Sequence, residues 1–521
     1  MSSKFWTAIA CAVLFALPAS AQRGPNRGGD APTQAQPAPA QGAQPQSGQP
    51  QQGPDRSAAA ITSQYPRDVT TQHSIALPGG PLNFTATAGS IRLSNAQTGQ
   101  PTVDIAYIAY QKPDADTKTR PVTFLFNGGP GYASGWLNLG VGPWRLPMAG
   151  EATAPSTQPV LLDNAETWLE FTDLVFIDPP GTGYGRILGN DDIRKRLWSV
   201  QGDLDVLATT IRRWVEQNNR GLSPKFVGGE SYGGFRTPKI THMLQTDQGV
   251  GVNGMIMLSP VLDFGRFNLQ SGLWDLVARL PAYAATAREK KAPVTRQDML
   301  DVEQYAQGEF LADLLKGPRD LAAVARLTTK FAELTGIDPL IVKRYGARLG
   351  METFAREING ESGRVSSLYD ARETGFDPYP NSFRNNGDDQ LRLGLHAPIT
   401  QAMVDLYHNR LKWVVENGRY QFQNEQAGRQ WDWGNRGSVE AVRDLRQSLA
   451  LDPKLRVLVG HGLTDLVTPY FETKMVLDQI PAYGSADRLR FEVYPGGHMF
   501  YSRDDSRKKF RDDVRRLIEG K

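Results

Sequence analysis

Short apolar runs, most of them followed by a glycine-rich turn, recur along the chain from about residue 120 onward. Five such runs end in a glycine-rich turn: residues 121–126, 173–177, 225–227, 456–459 and 490–494. Residues 254–258 form a sixth run without that turn. Between the second and third runs, Leu207, Ile211, Trp214 and Val215 recur at helical spacing and mark one apolar face. Strands that alternate with helices predict an α/β fold with a mostly parallel, doubly wound sheet, in which function gathers at the carboxyl ends of the strands.

The pattern changes between residues 265 and 397, where helical stretches rich in charge and alanine appear, such as residues 302–315 and 321–334. We interpret this region as a helical cap inserted into the core; an independent binding domain is the alternative. About 460 residues are more than one core usually holds, which favours such an insertion. The predicted organisation is: signal peptide 1–21, disordered linker 22–60, first part of the core 61–264, helical cap 265–397, second part of the core 398–521.

The first residues have the pattern of a secretory signal. Lys4 precedes an apolar run over residues 5–17, and Ala19-Ser20-Ala21 provides a cleavage site before Gln22. The apolar run is too short to span a bilayer, so we expect no stable membrane insertion after cleavage. Residues 22–60 are dense in Pro, Gln, Ala and Gly, a composition typical of a disordered tether. The sequence therefore predicts a secreted or periplasmic protein.

The composition of the predicted mature chain argues against several kinds of site and partner. The one cysteine, Cys11, lies in the predicted signal, so we expect no disulfide, thiolate nucleophile or cysteine metal site. The 58 basic residues nearly balance the 55 acidic ones, and no basic block suggests nucleic acid as a partner. The sequence contains no HExxH motif and no phosphate-binding loop. We expect neither a metal nor an organic cofactor, and nothing in the sequence indicates an oligomeric state.

The candidate nucleophile is Ser231, in Gly229-Glu230-Ser231-Tyr232-Gly233. This segment fits G-x-S-x-G, with a predicted strand before it and a helix after it. A sharp strand-to-helix turn raises the serine hydroxyl above the sheet and tolerates only small neighbours. Together with the parallel sheet, the motif predicts an α/β-hydrolase fold.

A catalytic serine needs a base, and the chain contains six histidines. Two of them, His461 and His498, follow late strands closely. In hydrolases of this fold the order along the chain is serine, acid, histidine. His498 leaves Asp465 available before it at the end of a late strand, whereas His461 leaves no such acid, so we predict Asp465 and His498. A turn-capping role is the alternative for Asp465.

The oxyanion hole needs two backbone N–H groups that point at the developing negative charge. Tyr232, directly after the nucleophile, is expected to supply one of them. The turn Asn127-Gly128-Gly129-Pro130-Gly131 is expected to supply the other, from Gly129, because glycine lets the backbone approach a substrate closely. A simple tight connection is the alternative interpretation of this turn.

These segments resemble the serine carboxypeptidase family, peptidase family S10. The resemblance rests on the Asn127–Gly131 turn, the Gly229–Gly234 segment, the Asp465 loop and the Gly497-His498 loop. The turn over residues 178–183, with Asp-Pro followed by Gly-Thr-Gly, is similar to a fifth family segment. The resemblance implies a hydrolase that removes C-terminal residues from peptides with a free C-terminus. It also implies that Asn127 and Glu230 bind the terminal carboxylate of the substrate.

Two features depart from the family pattern. A second glutamate, common in a Glu-x-Gly-Pro stretch of the family, is missing from Leu139-Gly140-Val141-Gly142-Pro143. The disulfides of eukaryotic members are also absent, and we expect a secreted bacterial member. Because the catalytic triad does not select the leaving group, a secreted esterase or acyltransferase on the same scaffold is the alternative function.

Overall fold

The structure is a computed structural model that describes residues 65–148, 156–267, 272–381, 389–434 and 439–521, with nothing stated of the side chain at 361. These residues belong to one compact unit, Arg56–Lys521. The predicted signal peptide, 1–21, and linker, 22–60, lie outside the described residues. None of the described helices is both long enough and apolar enough to cross a membrane.

A ten-stranded sheet runs through the described part of the chain. The strands of the structure are β1 Val69–Leu77, β2 Gly80–Ser94, β3 Pro101–Gln111, β4 Val122–Phe126, β5 Trp144–Arg145, β6 Leu162–Asp163, β7 Asp173–Ile177, β8 Arg186–Ile187, β9 Lys225–Glu230, β10 Gly254–Leu258, β11 Arg364–Ser366, β12 Thr374–Phe376, β13 Arg456–Gly462 and β14 Leu489–Tyr494. The order in the large sheet is β1-β2-β3-β7-β4-β9-β10-β13-β14, with β8 paired to β3. Two small sheets, β5-β6 and β11-β12, lie apart from it.

The strands from β7 to β14 in this order pair in parallel, and they include all six predicted runs. This arrangement confirms the predicted α/β-hydrolase fold with its mostly parallel sheet. Three strands that the apolar runs did not predict, β1, β2 and β3, extend one edge with antiparallel pairing. The pattern of β1 and β2 fits this antiparallel edge: along β2, Leu82, Phe84, Ala86 and Ala88 are buried and alternate with more exposed residues. Such alternation is typical of a strand with one face on the core.

Helices cover both faces of the sheet. They are α1 Gly135–Val141, α2 Asp191–Leu197, α3 Val200–Gln217, α4 Tyr232–Thr246, α5 Phe264–Phe267, α6 Leu273–Glu289, α7 Leu300–Tyr305, α8 Leu311–Lys316, α9 Leu321–Thr335, α10 Pro339–Arg344, α11 Met351–Glu357, α12 Gln390–Asp405, α13 Glu425–Gln430, α14 Val442–Leu451, α15 Tyr470–Leu477 and α16 Asp504–Glu519. Short 3-10 turns lie at Trp168–Glu170, Arg296–Met299, Gly360–Ser362, Ala486–Arg488 and Phe500–Ser502, and π-helical turns at Ala306–Phe310 and Leu406–Arg410.

Alternation along the central strands produces two cores. Leu125, Phe226, Ile256 and Leu458 pack on one face, with residues of α1, α12 and α16. The intervening strand residues pack on the other face, with α3, α4 and α14. The predicted apolar face of Leu207 to Val215 lies on α3, which begins where the Ser199 side chain accepts a hydrogen bond from the Gly202 N–H.

The region 273–355 is helical, as the composition indicated. The predicted helix 321–334 corresponds to α9, which begins at the capping Asp320 and ends at Gly336 in the left-handed conformation. The predicted helix 302–315 is divided into α7, a π-helical turn and α8. These helices form a third apolar cluster with residues that follow β13, including Leu463 and Tyr470. The boundaries of the predicted cap, 265–397, remain a prediction, as do those of the two parts of the core.

Candidate active site

Ser231 lies at a strained turn between β9 and α4. Its backbone has φ 61° and ψ −122°, a conformation that costs energy for any residue other than glycine. The Ser231 N–H donates to the Leu258 carbonyl at 2.9 Å, which ties the turn to the neighbouring strand β10. A side chain at Gly233 would place its Cβ 2.5 Å from the carbonyl oxygen of Phe126. The glycine of the motif is therefore required for the close approach of α4 to the end of β4.

Asp465 and His498 meet above the ends of β13 and β14. Oδ2 of Asp465 lies 2.7 Å from Nδ1 of His498, and both side chains are buried. Oδ1 of Asp465 accepts hydrogen bonds from the N–H groups of Val467 and Thr468, at 2.8 and 2.9 Å. Because Asp465 occupies Nδ1, the Nε2 atom of His498 is left to act as the base. His498 and Ser231 line the same cavity.

Burial and charge act on His498 in opposite directions. Desolvation lowers the pKa of the imidazole, but the charge and hydrogen bond of Asp465, with a smaller contribution from Glu230, raise it above its ordinary value. Asp465 thus favours the imidazolium that forms when the histidine accepts a proton.

Two hydroxyl groups that were not predicted from the sequence contact Asp465 and His498 and fix their positions. Oγ1 of Thr468 lies 2.6 Å from Oδ2 of Asp465 and 3.0 Å from Nδ1 of His498. Ser259 donates from its hydroxyl to the His498 carbonyl at 2.9 Å. Thr468 follows Asp465 by three residues, a spacing typical of local capping, which was the available signal. Nothing local in the sequence connects Ser259 to His498.

The two predicted oxyanion donors border the same cavity. Gly129 and Tyr232 line it with Gly128, and Gly129 has a φ of 109°. The N–H of Tyr232 belongs to the first turn of α4, where backbone donors have no partner within the helix. A Cβ at Gly128 would lie 2.5 Å from the Tyr232 nitrogen. The glycine turn and the nucleophile turn are therefore in direct contact, as a pair of convergent donors requires.

Buried polar contacts anchor the glycine turn. The backbone N–H of Ser134 donates to Oδ1 of Asp178 at 2.8 Å. Arg236 forms a fully buried ion pair with Asp203 at 2.7 Å and donates to the Asn127 carbonyl at 2.5 Å. The sequence pattern did not indicate Arg236, Asp203 or Ser134, because only the folded chain brings α3, α4 and the turn together.

Asn127 and Glu230 lie side by side at the buried end of the cavity. Oδ1 of Asn127 accepts from the Leu137 N–H at 3.1 Å, which orients the amide. Its Nδ2 makes no full hydrogen bond to any described residue, although the amide lies close enough to Glu230 to lower the pKa of that carboxyl. A buried donor in this state is available for a ligand.

Burial raises the pKa of Glu230 to about 7. The charge of His498, the hydrogen bond from Tyr501 and the nearby amide of Asn127 lower it, while Asp465 raises it further. Glu230 is therefore largely protonated in mildly acidic solution. A protonated carboxyl group can donate a hydrogen bond to an anion, whereas an ionised one would repel it.

His461, the competing histidine, has a different environment. It is fully buried in β13, and neither of its ring nitrogens has a hydrogen-bond partner within the described ranges. Burial lowers its pKa to about 3, so the ring is neutral. The structure thus joins His498, and not His461, to Asp465 by a hydrogen bond.

The cavity above Ser231 has a volume of about 500 Å³. Its apolar wall comes from side chains distant in sequence: Tyr132, Trp136, Val261, Phe264, Leu368 and Met499. Glu352, Asp389 and Arg392 add charge to the lining. Within the described ranges no group of three or more His, Cys, Asp or Glu side chains is arranged to hold a metal ion. The pattern of strands and turns did not reveal this wall, because its residues lie in loops and short helices.

Comparison with known proteins shows which family part of the chain resembles. Residues 78–309 match the serine carboxypeptidase family. The matched segment contains Asn127, Gly129, Glu230 and Ser231. Over this segment the chain is similar to the serine carboxypeptidases, in agreement with the resemblance of the motifs.

Individual relatives extend the likeness. The pheromone-processing carboxypeptidase KEX1 of Podospora anserina is 23% identical over 407 residues, covering 74% of this chain and 58% of the relative. Serine carboxypeptidase-like 16 of Arabidopsis thaliana is 26% identical over 198 residues, covering 36% of this chain and 43% of the relative. The chain thus spans about half the length of these two relatives. Since they are fungal and plant proteins, the expected bacterial origin stays a prediction.

A solved structure supports the fold. The prohormone-processing carboxypeptidase Kex1(Δ)p of Saccharomyces cerevisiae superimposes with a TM-score of 0.53 at 14% identity. The match covers 84% of this chain and 91% of the yeast chain. At this identity the likeness establishes the α/β-hydrolase fold.

Proposed function

We propose that this protein is a serine-type carboxypeptidase that hydrolyses C-terminal peptide bonds through an acyl-enzyme on Ser231. The observation that carries the proposal is the pair Asn127 and Glu230, buried beside the nucleophile. The amide donor of Asn127 has no hydrogen-bond partner among the described residues, and burial raises the pKa of the Glu230 carboxyl group to about 7. Such a pair can receive the terminal carboxylate of a peptide and place its last peptide bond over Ser231. The similarity to serine carboxypeptidases supports the same assignment.

The proposed mechanism has two acyl-transfer steps. Ser231 attacks the scissile carbonyl while Nε2 of His498 takes its proton, and Asp465 stabilises the imidazolium through Nδ1. The N–H groups of Gly129 and Tyr232 stabilise the oxyanion. His498 then returns the proton to the leaving amine, and the C-terminal amino acid departs. Water repeats the cycle on the acyl-enzyme, which releases the shortened peptide and regenerates Ser231.

The test compares one blocked dipeptide with a free C-terminal carboxylate and the same dipeptide as an amide or ester, from about pH 4 to 8. We expect preference for the free acid below the pKa of Glu230 and loss of that preference in Glu230→Gln. Cleavage of the ester without activity on the free acid would instead favour an esterase or acyltransferase. Labelling of the wild type, but not of Ser231→Ala, by a fluorophosphonate establishes the nucleophile independently of the substrate.

We also propose that the chain is exported and acts outside the cytoplasm. Lys4, the apolar run 5–17 and the site Ala19-Ser20-Ala21 support this localisation. N-terminal sequencing of the protein from the extracellular or periplasmic fraction should begin at Gln22. An intact N-terminus in the cytoplasmic fraction would contradict the proposal.

A further inference from the structure

Tyr501 contacts Glu230, one of the two candidate carboxylate-binding residues. Its phenol donates a hydrogen bond to Oε2 of Glu230, and the whole side chain is buried. Tyr501 lies three residues after His498, in the 3-10 turn Phe500–Ser502. One short segment therefore supplies both the predicted base and a contact to Glu230.

The ring of Tyr501 fills the space next to Gly140. A Cβ at Gly140 would lie 2.3 Å from Cε2 of Tyr501, closer than any real contact. No larger side chain fits at position 140 while the ring keeps its place. Gly140 stands at the first position of the Gly-Val-Gly-Pro stretch, where the family pattern has its second glutamate. The structure thus places a phenol, in place of a second carboxyl group, against Glu230.

We propose that Tyr501 is a positioning residue that orients Glu230 for recognition of the C-terminal carboxylate; this inference rests on the proposed carboxypeptidase function. Because the phenol donates to Oε2, the acid proton of a neutral Glu230 is confined to Oε1. Oε1 then donates to the substrate carboxylate beside Nδ2 of Asn127. A second carboxyl group would have competed for the same proton, whereas a phenol supplies its own.

The surroundings of Tyr501 keep its phenol protonated, so that it remains a hydrogen-bond donor. Burial and the nearby Glu230 raise the pKa of Tyr501 well above its ordinary value of 10.0, so the phenol keeps its proton from about pH 4 to 9. The other groups that act on Glu230 are His498, Asp465 and Asn127. Since the Tyr501 hydrogen bond lowers the pKa of Glu230, removing the hydroxyl should raise it.

Tyr501→Phe in the full chain tests the proposal, because it keeps the ring against Gly140 and removes only the donor. Tyr494→Phe is the matched control: its phenol also donates to a buried carboxylate, Asp513, at 2.7 Å, but Asp513 does not line the cavity, whereas Glu230 does. For each variant kcat and KM are measured on the free-acid dipeptide and on its ester, from about pH 4 to 9. The protonation of Glu230 is followed directly by infrared titration of its carboxyl band, assigned with Glu230→Gln.

For Tyr501→Phe we expect KM for the free acid to rise about tenfold near pH 5, with kcat within about twofold, on the scale of one hydrogen bond to a charged group. The alkaline fall of kcat/KM and the infrared titration should both move up by about one pH unit. Ester kinetics should be unchanged, and Tyr494→Phe should behave as the wild type.

An unshifted infrared titration in Tyr501→Phe, or an equal loss on ester and free acid, would overturn the positioning role. A wild type with no preference for the free acid would overturn the proposed carboxypeptidase function. The two failures are distinguishable, because the infrared titration needs no substrate and reports on the contact between Tyr501 and Glu230 by itself.

Discussion

Replacing Glu230 by glutamine should change the pH dependence of protein stability in a defined direction. In the folded chain, burial raises the pKa of Glu230 from 4.5 to about 7. Between these values the folded state binds more protons than the unfolded state, so the free energy of unfolding falls as pH rises. The contribution of the protonated Glu230 to the free energy of unfolding is fully present below about pH 4.5 and is lost as pH rises through about 7. Glutamine has the same shape and cannot ionise, so Glu230→Gln should be free of this loss.

The magnitude follows from the shift. A change of one pKa unit corresponds to about 1.4 kcal/mol, so the ionisation of Glu230 costs the folded state about 3 kcal/mol once the pH exceeds 7. The free energy of unfolding of Glu230→Gln, relative to the wild type, should therefore rise by about 2 to 3 kcal/mol between pH 5 and pH 8. Asp178, which burial also brings to a pKa of about 7, contributes equally to both proteins and cancels.

Urea unfolding of both proteins at several pH values from 5 to 8 measures this difference, read from midpoints at constant slope. Glu216→Gln provides the control, because the Glu216 carboxylate is exposed and forms an ion pair with Arg212 on its own helix. Its stability should follow the wild type at every pH. A difference between Glu230→Gln and the wild type that stays constant or shrinks as pH rises would refute the reasoning, since Glu230 would then be ionised in the folded protein without cost.

Three further predictions concern the triad and its surroundings. Ser231→Ala should lower kcat on a blocked peptide by about 10⁶ with little change in melting temperature, and near-normal turnover would exclude Ser231 as the nucleophile. Gly128→Ala places a Cβ against the Tyr232 nitrogen and should lower kcat by about 100-fold or more, with a smaller effect on KM. Burial lowers the pKa of His461 to about 3 from 6.5, so protonation of the unfolded chain removes stability as pH falls through this range. The melting temperature of His461→Leu should fall less than that of the wild type between pH 7 and pH 4. Equal decreases in the two proteins would contradict a buried, neutral His461 ring.

Much of the site could be predicted because its chemistry is locally encoded. A serine at a strained turn needs glycine neighbours, and the G-x-S-x-G segment displays that requirement within five consecutive residues. The order of Ser231, Asp465 and His498 also selected the pair that the structure joins at 2.7 Å. The parallel strands could be recognised because both of their faces are buried, which produces short continuous apolar runs.

The antiparallel edge was not recognised, because β1 and β2 alternate less and more exposed positions and so form no continuous apolar run. β3 is buried from Thr102 to Tyr110, but no glycine-rich turn follows it directly. The cavity wall and the supports of the site were invisible for a different reason. Tyr501 and Glu230 are 271 residues apart, and Arg236 contacts the turn of Asn127 from 109 residues away. Such contacts leave no periodicity in the chain.

The amino-acid sequence by itself determined the fold class, the three residues of the candidate triad and the glycine turns that surround them. Only the tertiary structure decided that Glu230 is buried, that the amide donor of Asn127 has no hydrogen-bond partner in the described part of the chain, and that a phenol lies next to Gly140. The physical reason is that a turn depends on the backbone conformations of a few adjacent residues. The protonation state of a carboxyl group depends instead on everything that packs around it.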